Sequence, residues 1–194
     1  MQEELARGAE AIIIRDGSEV IKKRISKGYR IKEIDESLRN FRTRREAKII
    51  SKIPKFAPKI LECDNRETIR MSFIDGKKVR DVLDKKPELC TEIGRKLALL
   101  HSRSIIHGDL TTANMILNKE IFFIDFGLSF ISHKTEDKAV DIHLFMQALE
   151  GKHFRVYEKA RKFFFGGYKN AEDYDAVVER LEAVEKRGRN KAKF

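Results

Sequence analysis

The chain has 194 residues with 41 Lys and Arg against 31 Asp and Glu, a formal net charge of +10, and 41% hydrophobic residues. That is enough apolar material for one buried core, or for two small lobes sharing a cleft, and no apolar run approaches the roughly 18 residues of a membrane helix. Cys63 and Cys90 stand 27 residues apart, which excludes a disulfide framework and points to a reducing cytosol. The acidic start, Met1 to Leu5, has no apolar stretch and is not expected to act as a secretion signal. The positive charge favours polyanionic partners. The scarcity of Gln, at 2 and 147 only, leans weakly toward a heat-adapted source.

In chain order, Ala11 to Ile14, Asp16-Gly17-Ser18 and Val20 to Lys22 predict a β-hairpin, because Asp-Gly tolerates the positive φ of a tight turn. A basic loop, Ser26 to Arg30, leads to a helix over about 34–53 with a basic face, ended by Pro54 and Pro58. Lys59 to Cys63 and Thr68 to Ile74 read as two strands around Asp64-Asn65, and Gly76 breaks the second. Beyond Gly76 the pattern becomes helical: Leu89, Ile93, Leu97 and Leu100 recur at core-facing spacing. Short strands at 115–117 and 121–124 flank the turn Asn118-Lys119-Glu120, and the second, apolar on both faces, should be buried. Helices follow over about 137–149, 154–165 and 172–186. The end, 187–194, is basic without apolar period and reads as a flexible tail. The division is an N-terminal part, 1–75, of sheet plus one main helix, and a mostly helical part, 76–186.

The chemistry concentrates in His107-Gly108-Asp109-Leu110-Thr111-Thr112-Ala113-Asn114 and Ile124-Asp125-Phe126-Gly127. Asp109 and Asn114 are five residues apart and Asp125 is sixteen beyond Asp109. Two carboxylates and a carboxamide on loops flanking a strand are the groups that hold Mg²⁺ on a nucleotide and orient a hydroxyl or water against its last phosphate. Read singly, each Asp is an ordinary solvated acid; the spacing makes them a set. His101, His133, His143 and His153 show no ligand spacing, and His107 reads as support for its loop.

These segments resemble the protein-kinase pattern H-R-D-L-x-x-x-N followed by D-F-G, with Gly108 in place of Arg. The chain is most similar to the PRPK family, the small atypical kinase subunit of the KEOPS tRNA-modifying complex. The likeness is carried also by Gly8 to Ala11, Val20 to Arg24, Lys27 to Arg30, Arg42 to Ala47, Glu136 to Asp141 and Arg187-Gly188-Arg189. It implies an α+β, minimal two-lobed protein-kinase-like fold that uses ATP and Mg²⁺. Asp109 would orient the attacking group, and Asn114 and Asp125 would hold the metal. Lys22 would grip the α- and β-phosphates, directed by Glu46. Gly8, Ala9, Glu10 and Ala11 would form the turn above the phosphates. Met71, Ser72 and Ile74 would meet the adenine, and Asp141 would tie the catalytic loop to its helix. The implied partners are a TsaD-family carbamoyltransferase subunit and other KEOPS subunits, with tRNA approached through the basic tail and no membrane.

Two departures limit the likeness to ordinary protein kinases. Thr111 stands where many carry a Lys near the transferred phosphate, and only Leu128 to Glu136 separate Gly127 from the next helix, with no A-P-E segment. Little chain is left for a peptide-docking platform. An aminoglycoside-type phosphotransferase would need a larger helical region, and a catalytically silent binding module is opposed by intact Lys22, Asp109, Asn114 and Asp125. A RIO-type kinase is set aside for want of an S-T-G-K-E-type loop.

Overall fold

The computed structural model describes residues 2–191, and side chains through residue 186. The chain divides into two compact units, Met1–Asp75 and Gly76–Phe194.

In the first unit, β1 (Gln2–Arg7), β2 (Ala11–Asp16), β3 (Glu19–Arg24), α1 (Lys32–Ile50), β4 (Ile60–Cys63) and β5 (Thr68–Ser72) follow in order. The strands form one antiparallel sheet ordered β1-β2-β3-β5-β4. Gly17 turns the β2–β3 hairpin at φ 60°, as the Asp-Gly dipeptide predicts. That turn fixes the register that sets Lys22 opposite Ile13 and Ile69. The core gathers Ala47 of α1 with Ile69 and Met71 of β5, packed by Val20, Ile60 and Cys63. β1 is an addition to the expected elements. Every one of its residues is exposed, so it carries no alternation of apolar and polar side chains and forms only by pairing with β2.

The second unit comprises β6 (Lys77–Lys78), α2 (Val79–Val82), a 3₁₀ turn (Leu83–Lys85), α3 (Leu89–Ser102), β7 (Ile105–Ile106), a second 3₁₀ turn (Thr112–Asn114), β8 (Met115–Asn118), β9 (Glu120–Phe123), β10 (Phe130–Ile131), α4 (Thr135–Lys152), a third 3₁₀ turn (Phe154–Val156), α5 (Tyr157–Tyr168) and α6 (Tyr174–Lys191). Its strands pair as β10-β7 and as β6-β8-β9. Ile93, Leu97 and Leu100 of α3 are fully buried, in agreement with their spacing, and join Leu83, Ile105, Phe145, Phe164 and Tyr168. β9 buries Ile121 and Phe123 completely, whereas Phe122 is half-buried with the Lys96 ammonium over its ring at 5.7 Å. One face of that strand is therefore partly open, where the all-apolar sequence predicts two buried faces. α6 is helical to Lys191, past the expected end near 186; the tail side chains of 187–194 lie outside the described residues. No helix among the described residues is long and apolar enough to cross a membrane.

Candidate active site

In the first unit, Lys22 and Arg24 lie two residues apart on β3 and so share a face of the sheet. Both are nearly covered, at 7% and 5% exposure. Glu46 of α1, 1% exposed, receives Lys22 Nζ at 2.6 Å on one carboxylate oxygen and an Arg24 guanidinium nitrogen at 2.5 Å on the other. Sequence reasoning pairs Lys22 with Glu46 but misses Arg24, which the period of two on β3 signals. One buried carboxylate thus engages a different cation on each of its oxygens.

Gly8 to Ala11 forms a tight turn, with the Gly8 amide on the Ala11 carbonyl at 3.0 Å. The Ile25 amide donates to the Glu10 carbonyl at 3.1 Å, and Lys27 Nζ donates to the Ala9 carbonyl. The Glu10 carboxylate is held by Arg42 at 2.8 Å, with Arg30 at 3.8 Å. The turn thus has few glycines but is braced by cations of the 26–30 loop and of α1. That loop is itself fixed by Asp35, 1% exposed, which accepts the Lys27 amide and Arg39 Nε. Burial works against the charge on Asp35, but Arg39, Ser26 and the Lys27 amide outweigh it and hold the carboxyl below its ordinary range. Met71 is buried in β5, and the Ser72 amide donates to the Lys59 carbonyl at 2.9 Å.

In the second unit the 107–114 loop hangs from Asp141 of α4. One Asp141 oxygen accepts the His107 amide at 2.8 Å and the other the Gly108 amide at 2.9 Å. His101 Nε2 stands 3.3 Å from Asp141, and its Nδ1 is 2.7 Å from the Tyr168 hydroxyl. Burial alone would raise the Asp141 carboxyl, but the His101 hydrogen bond, the His101 and His107 rings and the His107 amide together keep it below its usual range. His107 is completely buried and its pKa is lowered by that burial, against the pull of Asp141, Asp125 and Asp109. A neutral ring lets Nδ1 accept the Asp109 amide at 3.3 Å while the ring packs 4.7 Å from Phe126.

Asn114 Nδ2 donates to the Asp109 carbonyl at 2.9 Å and to the Asp109 carboxylate at 2.8 Å. Both amide hydrogens are spent on Asp109, so the side-chain oxygen is the end of Asn114 suited to a cation. The Ile124 amide donates to the Asn114 carbonyl at 2.9 Å, which ties the Asp125 segment to the 107–114 loop. Asp125 is exposed and takes φ 61°, with the Gly127 amide 3.4 Å from its carboxylate. Lys78 Nζ donates to the Ala113 carbonyl at 2.8 Å and is lowered in pKa, first by burial and then by Arg80, against Asp125 and Asp81. Neither Lys78 nor the Asp141 partners His101 and Tyr168 is signalled by local sequence, since each reaches across at least 35 residues.

The donor set fits Mg²⁺: Asn114 and Asp125 offer hard oxygen donors, and Mg²⁺ characteristically takes one or two carboxylates with the remainder from substrate phosphates and water. Among the described residues no group of three or more His, Cys, Asp and Glu could hold a metal by itself.

A sheet with one main helix, then a helical unit that carries an Asp-Asn loop and an Asp-Phe-Gly segment, defines a protein-kinase-like class. Residues 15–144 match the RIO domain, which revises the setting aside of the RIO type: the domain is present although the S-T-G-K-E-type loop is not. The Rio2 kinase of Chaetomium thermophilum, solved as an ADP/Mg²⁺-phosphoaspartate complex, aligns with TM-score 0.61 over 96% of this chain and 70% of its own, at 19% identity, a likeness of fold. A "Probable serine/threonine-protein kinase BUD32 homolog" of Archaeoglobus fulgidus is 41% identical over 186 residues, 94% of this chain and 93% of the relative. The "KEOPS complex subunit Bud32" of Pyrococcus abyssi is 38% identical over 183 residues, 88% and 83% of the two chains. A "Probable bifunctional tRNA threonylcarbamoyladenosine biosynthesis protein" of Methanocaldococcus jannaschii is 38% identical over 95% of this chain, which spans 36% of that longer relative. The chain belongs to the Bud32 family.

Proposed function

We propose that this chain binds Mg-ATP and acts as an atypical Ser/Thr kinase and ATPase that supports threonylcarbamoyladenosine formation on tRNA as a KEOPS subunit. The observation that carries the reading is the Asn114 carboxamide locked to Asp109, with the Asp125 segment tied to the same loop through Ile124. Asp109 would orient the attacking hydroxyl or water and accept its proton. Asn114 and Asp125 would hold Mg²⁺, which would supply neutralisation of phosphate charge. Lys22, directed by Glu46, would take the α- and β-phosphates, with Arg24 adding to the local positive field. Gly8 to Ala11 would cover the phosphates. Ser72 would offer adenine its carbonyl, its amide being engaged by Lys59, and Ile74 its amide, beside Met71.

The short span from Gly127 to α4 and the Thr at 111 favour ATP hydrolysis, or transfer within a complex, over phosphorylation of many proteins. A TsaD-family carbamoyltransferase subunit and tRNA are the proposed clients, in the cytoplasm, with the basic tail as the tRNA contact. The test is phosphate release from ATP by the purified chain, with and without the TsaD-family partner and tRNA, beside a search for phosphoprotein. Asp109→Ala and Asp125→Ala should each reduce turnover by about a thousandfold or more, the scale on which groups acting directly in catalysis are felt. Wild-type-like turnover in both variants would remove the basis of the reading.

A further inference from the structure

Thr112 lies in the 3₁₀ turn between Asp109 and Asn114, and its side chain is nearly covered at 2% exposure. Its hydroxyl is 3.0 Å from Nε2 of His153, whose Nδ1 is 2.6 Å from the Asp84 carboxylate. An ionised carboxylate can only accept, so the Asp84 contact places a proton on Nδ1. In the neutral ring Nε2 is then the acceptor, and the Thr112 hydroxyl donates to it. The result is a directional chain from Thr112 to His153 to Asp84. It joins the catalytic turn to the end of α4 and to the 3₁₀ turn after α2. His153 is 1% exposed, so Nε2 without Thr112 would be a buried polar atom lacking its partner.

We propose that Thr112 and His153 are positioning residues for the metal-holding turn: the hydroxyl-to-imidazole bond fixes the angle at which Asn114 meets Asp109 and a cation. The proposal rests on the Mg-ATP reading. It adds an anchor that the catalytic motif does not encode. Asp141 holds the start of the loop at 107 and 108, and Lys78 holds Ala113. His153 holds the buried Thr112 side chain, two residues before Asn114.

A crossed pair of substitutions separates positioning by the hydroxyl from packing by the methyl. Thr112→Val keeps the shape and loses the donor, whereas Thr112→Ser keeps the donor and loses a methyl. Positioning predicts that Thr112→Val lowers kcat for ATP about tenfold, roughly the worth of one buried hydrogen bond, with KM for ATP within about twofold. It also weakens Mn²⁺ binding in the presence of ADP, read by electron paramagnetic resonance of the full chain, by a similar factor. Thr112→Ser should stay within about threefold of wild type in both readouts. The exposed Asp84→Ala, which leaves the core intact, should lower kcat in the same direction and add less than about twofold in the Thr112→Val background, as members of one chain do. The reverse order, with Ser worse than Val, overturns the proposal, and so does an Asp84→Ala effect that is absent or fully additive. If Asp125→Asn loses Mn²⁺ while Thr112→Val retains it, the positioning role fails and the Mg-ATP reading stands. If the wild-type chain with ADP binds no Mn²⁺, both fail.

Discussion

Two residues of the 107–114 and 124–127 segments sit in the left-handed region of backbone space, and the chain solves that problem differently at each. Gly108 has φ 78°, and a Cβ there would lie 2.7 Å from the Leu128 carbonyl oxygen. Both the dihedral and the space require glycine, which gives a physical reason why this loop has no Arg before its Asp. Asp125 takes φ 61° with a side chain, a conformation that Asp tolerates better than most residues at a cost of about 1 kcal/mol. Under the proposed Mg²⁺ role the cost falls where the carboxylate would be needed, as strain at functional positions does. Gly108→Ala should destabilise the protein by about 2–3 kcal/mol, combining a strained φ with displacement of the Leu128 backbone. Denaturant unfolding followed by circular dichroism measures it. A loss under about 0.5 kcal/mol would mean that the loop can rearrange and that glycine is not required there.

At the scale of elements, α3 and α5 approach through glycines. A Cβ on Gly94 would fall 2.1 Å from the Phe164 carbonyl oxygen, and one on Gly167 would fall 1.9 Å from that of Thr91. Gly166, next in line, meets nothing within 4 Å and is exposed. Adjacent glycines therefore have opposite expectations. Gly167→Ala should force the helices apart and cost about 3 kcal/mol or more, whereas Gly166→Ala should be neutral or stabilise by up to about 1 kcal/mol through helix propensity. Thermal unfolding of both variants decides it, and equal effects would refute the close-approach argument. The pair matters to the site because α3 carries His101 and α5 carries Tyr168, the two groups behind Asp141. The apolar period of α3 was legible because one face is buried along its length, and the grouping of Asp109, Asn114 and Asp125 was legible because the three lie within one short stretch. β1 was not, since an exposed edge strand has no pattern beyond its pairing. The Thr112–His153–Asp84 chain was not either, since its bonds span 41 and 69 residues.

Across the whole molecule, the five histidines all lie beyond residue 100, in the second unit, and the first unit contains none. Between pH 7 and about 5 the side chains that titrate with unperturbed pKa values are histidines, so the units should respond differently to mild acid. His107 supplies the sign. Its folded pKa lies below the ordinary 6.5 because of burial, so the unfolded chain takes up the proton first. As pH falls through about 6.5, unfolding gains protons that the folded ring refuses, and stability drops until the folded pKa is reached. Asp141 acts lower: its depressed carboxyl contributes stability above about pH 4 that is lost as pH falls through its folded value. In the first unit the lowered carboxyls of Asp35 and Asp64 belong only to that lower window. Hydrogen exchange resolved by peptide, corrected for the intrinsic pH dependence, should therefore show segments around α3, α4 and the catalytic loop losing protection between pH 7 and about 5.5, while β2, β3 and α1 hold theirs. Replacing His107 by Gln should flatten the response of the second unit in that window even if it lowers overall stability, because the titrating ring is gone. Parallel loss in both units, or an unchanged slope in His107→Gln, would show that the buried imidazole is not what makes this half of the chain sensitive to acid.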